Sequence, residues 1–233
     1  MSTQEFAGRV AIVTGASSGI GRATAQLLAA NGAYVTAFAR SGKKLSELSG
    51  QRMHVVAGDV ADADAVERLF AETESRFGDC DILINNAGMV APNRIENISV
   101  ADWDRMFAVN VRGAFLTCKR AVRSMIAKRA GAIVNVASIS GVLGAEKFPG
   151  FTSYNASKAA MIAFTEALAV EVKDFGVRVN CVSPGSVDTQ MWAGVSGNAP
   201  AEMTPEEVAE VILFAASSKS RPMNGQNLHV YSA

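Results

Sequence analysis

The sequence has no excess of either charge: 22 lysines and arginines face 22 aspartates and glutamates in 233 residues. Without a bulk positive field, neither a nucleic acid nor an anionic membrane is an expected partner, and a small molecule is. Cysteine is scarce. Cys80, Cys118 and Cys181 are odd in number and show no C-x-x-C spacing, so neither a disulfide framework nor a zinc site is indicated, and reduced, buried thiols are expected. No run of about 18 apolar residues occurs, and the first residues lack a basic segment followed by an apolar one, so the expected setting is cytoplasmic. Pro-rich, Ser-rich and like-charged linkers are missing too, as is any fixed-period repeat, which leaves one domain over residues 1–233 as the expectation. With 49% hydrophobic residues the chain has enough apolar material for one large core.

Short apolar runs alternate with longer helical patterns, as in a doubly wound α/β fold with a parallel sheet and helices on both faces. The runs at 9–14, 33–39, 53–57, 81–85, 132–137, 177–182 and 228–230 predict seven strands. Helical patterns cover roughly 20–31, 63–77, 99–128, 153–175 and 205–217, with Asp62 and Ser99 placed to cap helix starts and Pro205 suited to a first helical position. One helix is unusual. From Ala156 to Val170 its only charged residues are Lys158 and Glu166, so apolar surface surrounds most of it. Its own sheet can cover one face, and a second subunit is expected on another, giving a homodimer or homotetramer.

Two local patterns carry chemistry. Directly after the first strand comes Thr14-Gly15-Ala16-Ser17-Ser18-Gly19-Ile20-Gly21, where glycines let backbone amides approach a pyrophosphate at the positive end of the helix that follows. The same stretch fits a G-x-S-x-G nucleophile elbow, but an elbow needs earlier strands to build an oxyanion hole, and His54 and His229 are the only candidate bases. The second pattern is Tyr154 and Lys158, four residues apart and hence on one helical face. A cation held beside the phenol favours its ionised form and is expected to bring its pKa toward neutrality, so that it exchanges protons with an alcohol or carbonyl.

Taken in order, the Thr14–Gly21 loop, Asp59-Val60, Asn85-Asn86-Ala87-Gly88, Asn110, Ser138, Tyr154 with Lys158, and Pro184-Gly185 followed by Val187 and Thr189 resemble the short-chain dehydrogenase/reductase family across residues 8–230. The resemblance implies a Rossmann-type single domain that moves a hydride between a nicotinamide and a carbonyl or secondary alcohol. It casts Tyr154 as proton donor and acceptor, and Lys158 as its stabiliser and as a holder of the nicotinamide ribose. Ser138 would hydrogen-bond the substrate oxygen, and Asn110, mid-helix, would help hold a relay water. Gly15, Ser17, Ser18, Gly19, Ile20 and Gly21 would hold the pyrophosphate, and Asp59 and Val60 the adenine. Asn86, Ala87 and Gly88 would line the adenosine ribose, and Pro184, Gly185, Val187 and Thr189 the carboxamide. Ser140 is the rival to Ser138, which better matches the end of its strand.

At the end of strand two, Ala39-Arg40-Ser41 offers no acidic residue to accept a ribose 2′-hydroxyl, and Arg40 and Ser41 suit a 2′-phosphate, which favours NADP(H) with NAD(H) as the second possibility. Only fifteen residues separate Thr189 from Pro205, so the lid is short. With Met191, Trp192, Met203 and a loop at 146–150 carrying Phe148, the pocket is expected to be partly open and apolar, fitting a ketone or 3-oxoacyl thioester. The rival function is a catalytically weak dinucleotide-binding sensor or scaffold, against which the complete Ser-Tyr-Lys set argues.

Overall fold

The computed structural model describes residues 4–197 and 199–231. Seven strands form one all-parallel sheet in the order β3-β2-β1-β4-β5-β6-β7. They are β1 (Val10–Thr14), β2 (Tyr34–Ala39), β3 (Met53–Ala57), β4 (Ile82–Asn85), β5 (Gly131–Val136), β6 (Val177–Pro184) and β7 (Asn227–Val230). Strands β1 and β4 at the centre are buried along their whole length, which is why they read as apolar runs, closed by Thr14 and Asn85, rather than as alternating ones.

The helices are α1 (Gly19–Ala30), α2 (Gly42–Ser46), α3 (Ala63–Phe77), α4 (Val100–Phe107), α5 (Gly113–Lys128), α6 (Thr152–Val172), α7 (Gln190–Ala193) and α8 (Pro205–Ala216). Their ends follow the sequence. Asp62 caps α3 by accepting the Asp64 amide at 3.0 Å, and Gly78 ends it at φ 96°. Thr204 and Glu207 form a reciprocal capping box around Pro205 at the start of α8. Two cores sandwich the sheet. Leu28 of α1 and Ile212 of α8 belong to one, and Phe70 of α3, Met125 of α5 and Val172 of α6 to the other.

The expected single helix over 99–128 is a correction. Residues Ala108–Arg112 form a π-helical turn between α4 and α5. Such a turn inserts one residue into the helix and re-aims the side chain it carries, here the fully buried Asn110. Against β4 and β5 runs a buried polar chain: Thr117 donates to Asn85 at 2.6 Å, Asn85 to Asn135 at 2.9 Å, and Asn135 to Thr165 at 2.9 Å. It ties α5, β4 and β5 to α6. Each member is satisfied, so the chain fixes the height of α6 against the sheet instead of costing desolvation.

Candidate active site

Strand order reverses between β1 and β4, and open parallel sheets bind ligands beyond the carboxyl ends of the strands at such a point. A cavity of about 1040 Å³ opens there. Gly15, Ser17, Ser18, Gly19 and Ile20 from the loop after β1 line it, as do Asn86, Ala87 and Gly88 after β4. Gly15 sits at φ +68°, and a Cβ on it would fall 2.8 Å from the Ala87 backbone, so only glycine lets the two loops touch. Gly21 lies underneath rather than in the wall: a Cβ there would fall 2.3 Å from the Asn86 amide nitrogen. That amide donates to the carbonyls of Thr14 and Gly15 at 3.1 and 3.3 Å, while the Thr14 hydroxyl accepts the Asn86 and Ala87 amides at 3.1 and 3.0 Å. Thr14, which opens the motif, is thus the clamp between the loops, a role that its place in the sequence pattern did not reveal.

Helix α1 starts at this loop with no side-chain cap on Ser18 and no acidic residue in its first turn. Its leading amides and its positive dipole end are left for an anion, which fits a pyrophosphate.

At the far corner, Arg40 is exposed at the end of β2, and Ser41 caps α2. Asp59 and Val60 line the cavity there. Burial works against the charge of Asp59, but the Ala61 amide at 2.9 Å, the Arg105 guanidinium at 2.6 Å and nearby Arg40 hold its carboxyl below the ordinary range. Both carboxylate oxygens are therefore engaged, and an adenine amino group would share one of them. Val60 is buried and packs over Gly113.

Tyr154 and Lys158 stand one turn apart on α6, with the Lys158 ammonium 5.7 Å from the centre of the phenol ring. Lys158 is 4% exposed and donates to the Val136 carbonyl at 2.9 Å. Burial lowers its pKa to about 8. The Tyr154 phenol is raised above its ordinary value by burial, with a hydrogen bond from the Ser138 side acting in the opposite direction. This corrects the expectation of a phenol brought toward neutrality. The Lys158 amine is turned to the Val136 carbonyl, and removal of the phenol from water outweighs the Ser138 contact.

Ser138 is extended, buried and next to Tyr154, and its hydroxyl accepts the Ser140 amide at 3.2 Å. Ser140 also borders the cavity, but its amide serves Ser138, which is the serine against the phenol. Gly141 fixes this contact: a Cβ on it would fall 2.5 Å from the Lys158 backbone, so the turn after Ser138 packs directly on α6. Sequence reasoning missed Gly141, although it ends the Ser-Ile-Ser-Gly stretch. Asn110 accepts the Met89 amide at 2.8 Å and donates to the Met89 carbonyl and the Ser157 hydroxyl, each at 2.9 Å. Its Oδ1 and the Lys158 ammonium face the same space, each 3.5 Å from where a Cβ on Gly88 would lie.

Pro184 at the end of β6 and Gly185, Val187 and Thr189 after it line the cavity as well. Thr189 caps α7 by accepting the Trp192 amide at 3.1 Å, and it packs over Gly19. Met191, Trp192, Phe148, Phe151 and Tyr231 complete an apolar mouth with Glu146 and Glu202 at its edge. Met203 is a correction: it is 6% exposed, bridges Val187 and belongs to the core beside α8. His54 pairs with Glu72 at 2.9 Å and His229 sits beside Asn227, and neither lines the cavity, so the serine elbow has no base. The three cysteines are free and buried, with thiols pushed up to about 12, 12 and 11. Among the described residues no helix is long and apolar enough to cross a membrane.

Residues 9–199 match the family model for short chain dehydrogenases. The 3-oxoacyl-[acyl-carrier-protein] reductase FabG of Chlamydia muridarum is 36% identical over 239 residues, covering 95% of each chain. The structure of a 3-ketoacyl-(acyl-carrier-protein) reductase from Brucella melitensis complexed with NADH superposes with a TM-score of 0.90 at 29% identity, over 96% of this chain and 97% of that one. Levodione reductase superposes at 0.89 and 29% identity, over 97% and 96%. With the phosphate loop at the strand reversal and Ser138, Tyr154 and Lys158 gathered on one wall, this chain belongs to the short-chain dehydrogenase/reductase family and is an NAD(P)-dependent oxidoreductase.

Proposed function

We propose that the whole chain, 1–233, acts as one dinucleotide-binding and catalytic unit that reduces an apolar ketone or a 3-oxoacyl thioester with NADP(H). The observation that carries this reading is the placement of the Tyr154 phenol in the cavity wall with Ser138, the Lys158 ammonium 5.7 Å from its ring. A neutral phenol in that place is a proton donor, which suits reduction of a carbonyl. When bound, the nicotinamide supplies the hydride. Ser138 donates a hydrogen bond to the substrate oxygen as charge builds there. Tyr154 delivers the proton to that oxygen, and the resulting phenolate is stabilised by Lys158. Lys158 and Asn110, which both approach Gly88, would hold the water that returns a proton.

For binding, the amides of Gly15 to Gly21 and the start of α1 would hold the pyrophosphate, Asn86 to Gly88 the adenosine ribose, Asp59 and Val60 the adenine, and Pro184 to Thr189 the carboxamide. Arg40 and Ser41 would take the 2′-phosphate. The apolar mouth with two carboxylates at its edge supports an uncharged reacting end. Buried free thiols fit a reducing, cytoplasmic setting.

The test is loss of NADPH absorbance against a panel of ketones and acyl thioesters. Turnover with at least one class is expected, with kcat/KM for NADPH at least ~10-fold above NADH, the scale of one charge-assisted phosphate contact. The Brucella reductase was solved with NADH, which keeps NAD(H) as the second possibility, and a clear preference for NADH would remove the role given to Arg40.

We also infer a homodimer or homotetramer. Phe115 on α5 is 44% exposed and Val170 on α6 is 65% exposed, on the sheet face where both helices pack. Light scattering at micromolar concentration should give a mass of two or four chains. A monomer would mean that this apolar surface stays in water.

A further inference from the structure

Lys44 stands on the rim of the dinucleotide groove, beyond the set of residues assigned so far. It lies in α2, past Arg40 and Ser41, and lines both the main cavity and a side pocket of about 400 Å³ at the phosphate loop. Ser17, Ser18, Gly19, Thr189 and Gln190 share that side pocket. The charged groups around it are Arg22, Glu47 and Asp188. Arg22 and Glu47 neutralise each other at 2.9 Å. Lys44 forms no ion pair among the described residues. Its ammonium instead reaches the Gln190 side-chain oxygen at 3.2 Å, a contact between residues 146 apart in sequence.

That bond links α2 on one side of the groove to the first residue of α7 on the other. A neutral amide gives an ammonium a dipole but no countercharge, so the cation retains most of its attraction for an anion. The loop beside it already has uncapped amides at the start of α1. A phosphate arriving there would offer Lys44 a stronger acceptor than Gln190 does. The exchange costs little, because the side chain is exposed and flexible.

We propose that Lys44 is a phosphate-binding residue of this enzyme, held on Gln190 in the open groove and transferred to a phosphate of the dinucleotide when the cofactor enters. This rests on the dinucleotide reading of the groove. The acceptor is either the 2′-phosphate or the pyrophosphate, which share the same chemistry.

The test is fluorescence titration of NADPH and NADH into the wild-type protein and the variants Lys44→Ala, Gln190→Ala and Lys43→Ala. Lys44→Ala should weaken NADPH binding ~10-fold, the scale of one charge-assisted hydrogen bond at a partly solvated site. Loss confined to NADPH assigns Lys44 to the 2′-phosphate, and equal loss with NADH assigns it to the pyrophosphate. Lys43, which lines neither cavity, is the control and should bind as wild type. Gln190→Ala should bind NADPH as well as wild type or better, since no bond has to be broken. If Gln190→Ala loses as much affinity as Lys44→Ala, the pair merely braces α7 and the proposal falls. Wild-type affinity in Lys44→Ala overturns it and leaves the dinucleotide reading standing, whereas a wild-type protein that binds neither dinucleotide takes down both.

Discussion

Tyr154→Phe should lower kcat at least ~100-fold, the scale of a lost general acid, while the variant still folds and binds NADPH. The substitution removes one oxygen from a side chain that is half-buried, and the ring keeps its place beside Phe151 and Lys158. Binding and chemistry are thereby separated. Lost turnover with retained affinity places Tyr154 in the transition state, whereas loss of both points to a damaged groove. Ser138→Ala and Lys158→Ala should fall by a similar factor. The wild-type pH profile adds an independent sign. Tyr154 is raised above its ordinary value, so it stays a competent acid through neutral and mildly alkaline pH. Lys158, at about 8, loses its charge first. In the reductive direction kcat/KM should therefore decline as pH rises through about 8, with the two groups titrating as a coupled pair. Near-normal turnover in Tyr154→Phe would end the proposed mechanism.

What the sequence disclosed and what it hid divide along physical lines. The central strands were readable because a strand buried on both faces must be largely apolar, as β1 and β4 are up to Thr14 and Asn85 at their carboxyl ends. The phosphate loop was readable because Gly15 and Gly21 occupy positions where any Cβ would collide with the loop after β4. The Tyr154 and Lys158 pair follows from helical period alone. The π-turn at Asn110 was hidden: one inserted residue barely disturbs a hydrophobic pattern that runs from Ser99 to Lys128, and the cause is Asn110 bonding to Met89, 21 residues away. Helix α2 is five residues long, too short to show a period. Met203 sits near the lid in sequence, but the bridge to Val187 turns it into the core. Arg105 on Asp59 and Lys44 on Gln190 join segments 46 and 146 residues apart, with nothing local to announce them. The direction of the Tyr154 shift depends on burial and on the Ser138 contact, and spacing reports neither.

That burial makes Lys158 a liability to the fold, with a measurable sign. Its pKa falls from an ordinary 10.5 to about 8, so the native state disfavours the charged form that the unfolded chain carries freely. A lysine depressed in this way destabilises the protein in full below about 8, and the penalty is relieved as pH rises toward 10.5, because there the unfolded state binds more protons than the native one. The penalty at neutral pH is on the order of 3 kcal/mol. Lys158→Met keeps the length and apolar stem, removes the charge and leaves the Val136 carbonyl without its donor, a loss of about 1–2 kcal/mol. The net expectation is a variant without useful turnover that is more stable than wild type by about 1–2 kcal/mol at pH 7, or roughly 2–8 °C in melting temperature. The gap should narrow with every step in pH from about 8 upward. Melting curves from pH 6 to 10 on both proteins measure it. A variant less stable than wild type at pH 7, or a gap that widens with pH, would show that the amine is satisfied where it sits. The opposite result would show that α6 holds a cation against its own stability, at the place where the phenolate of Tyr154 needs one.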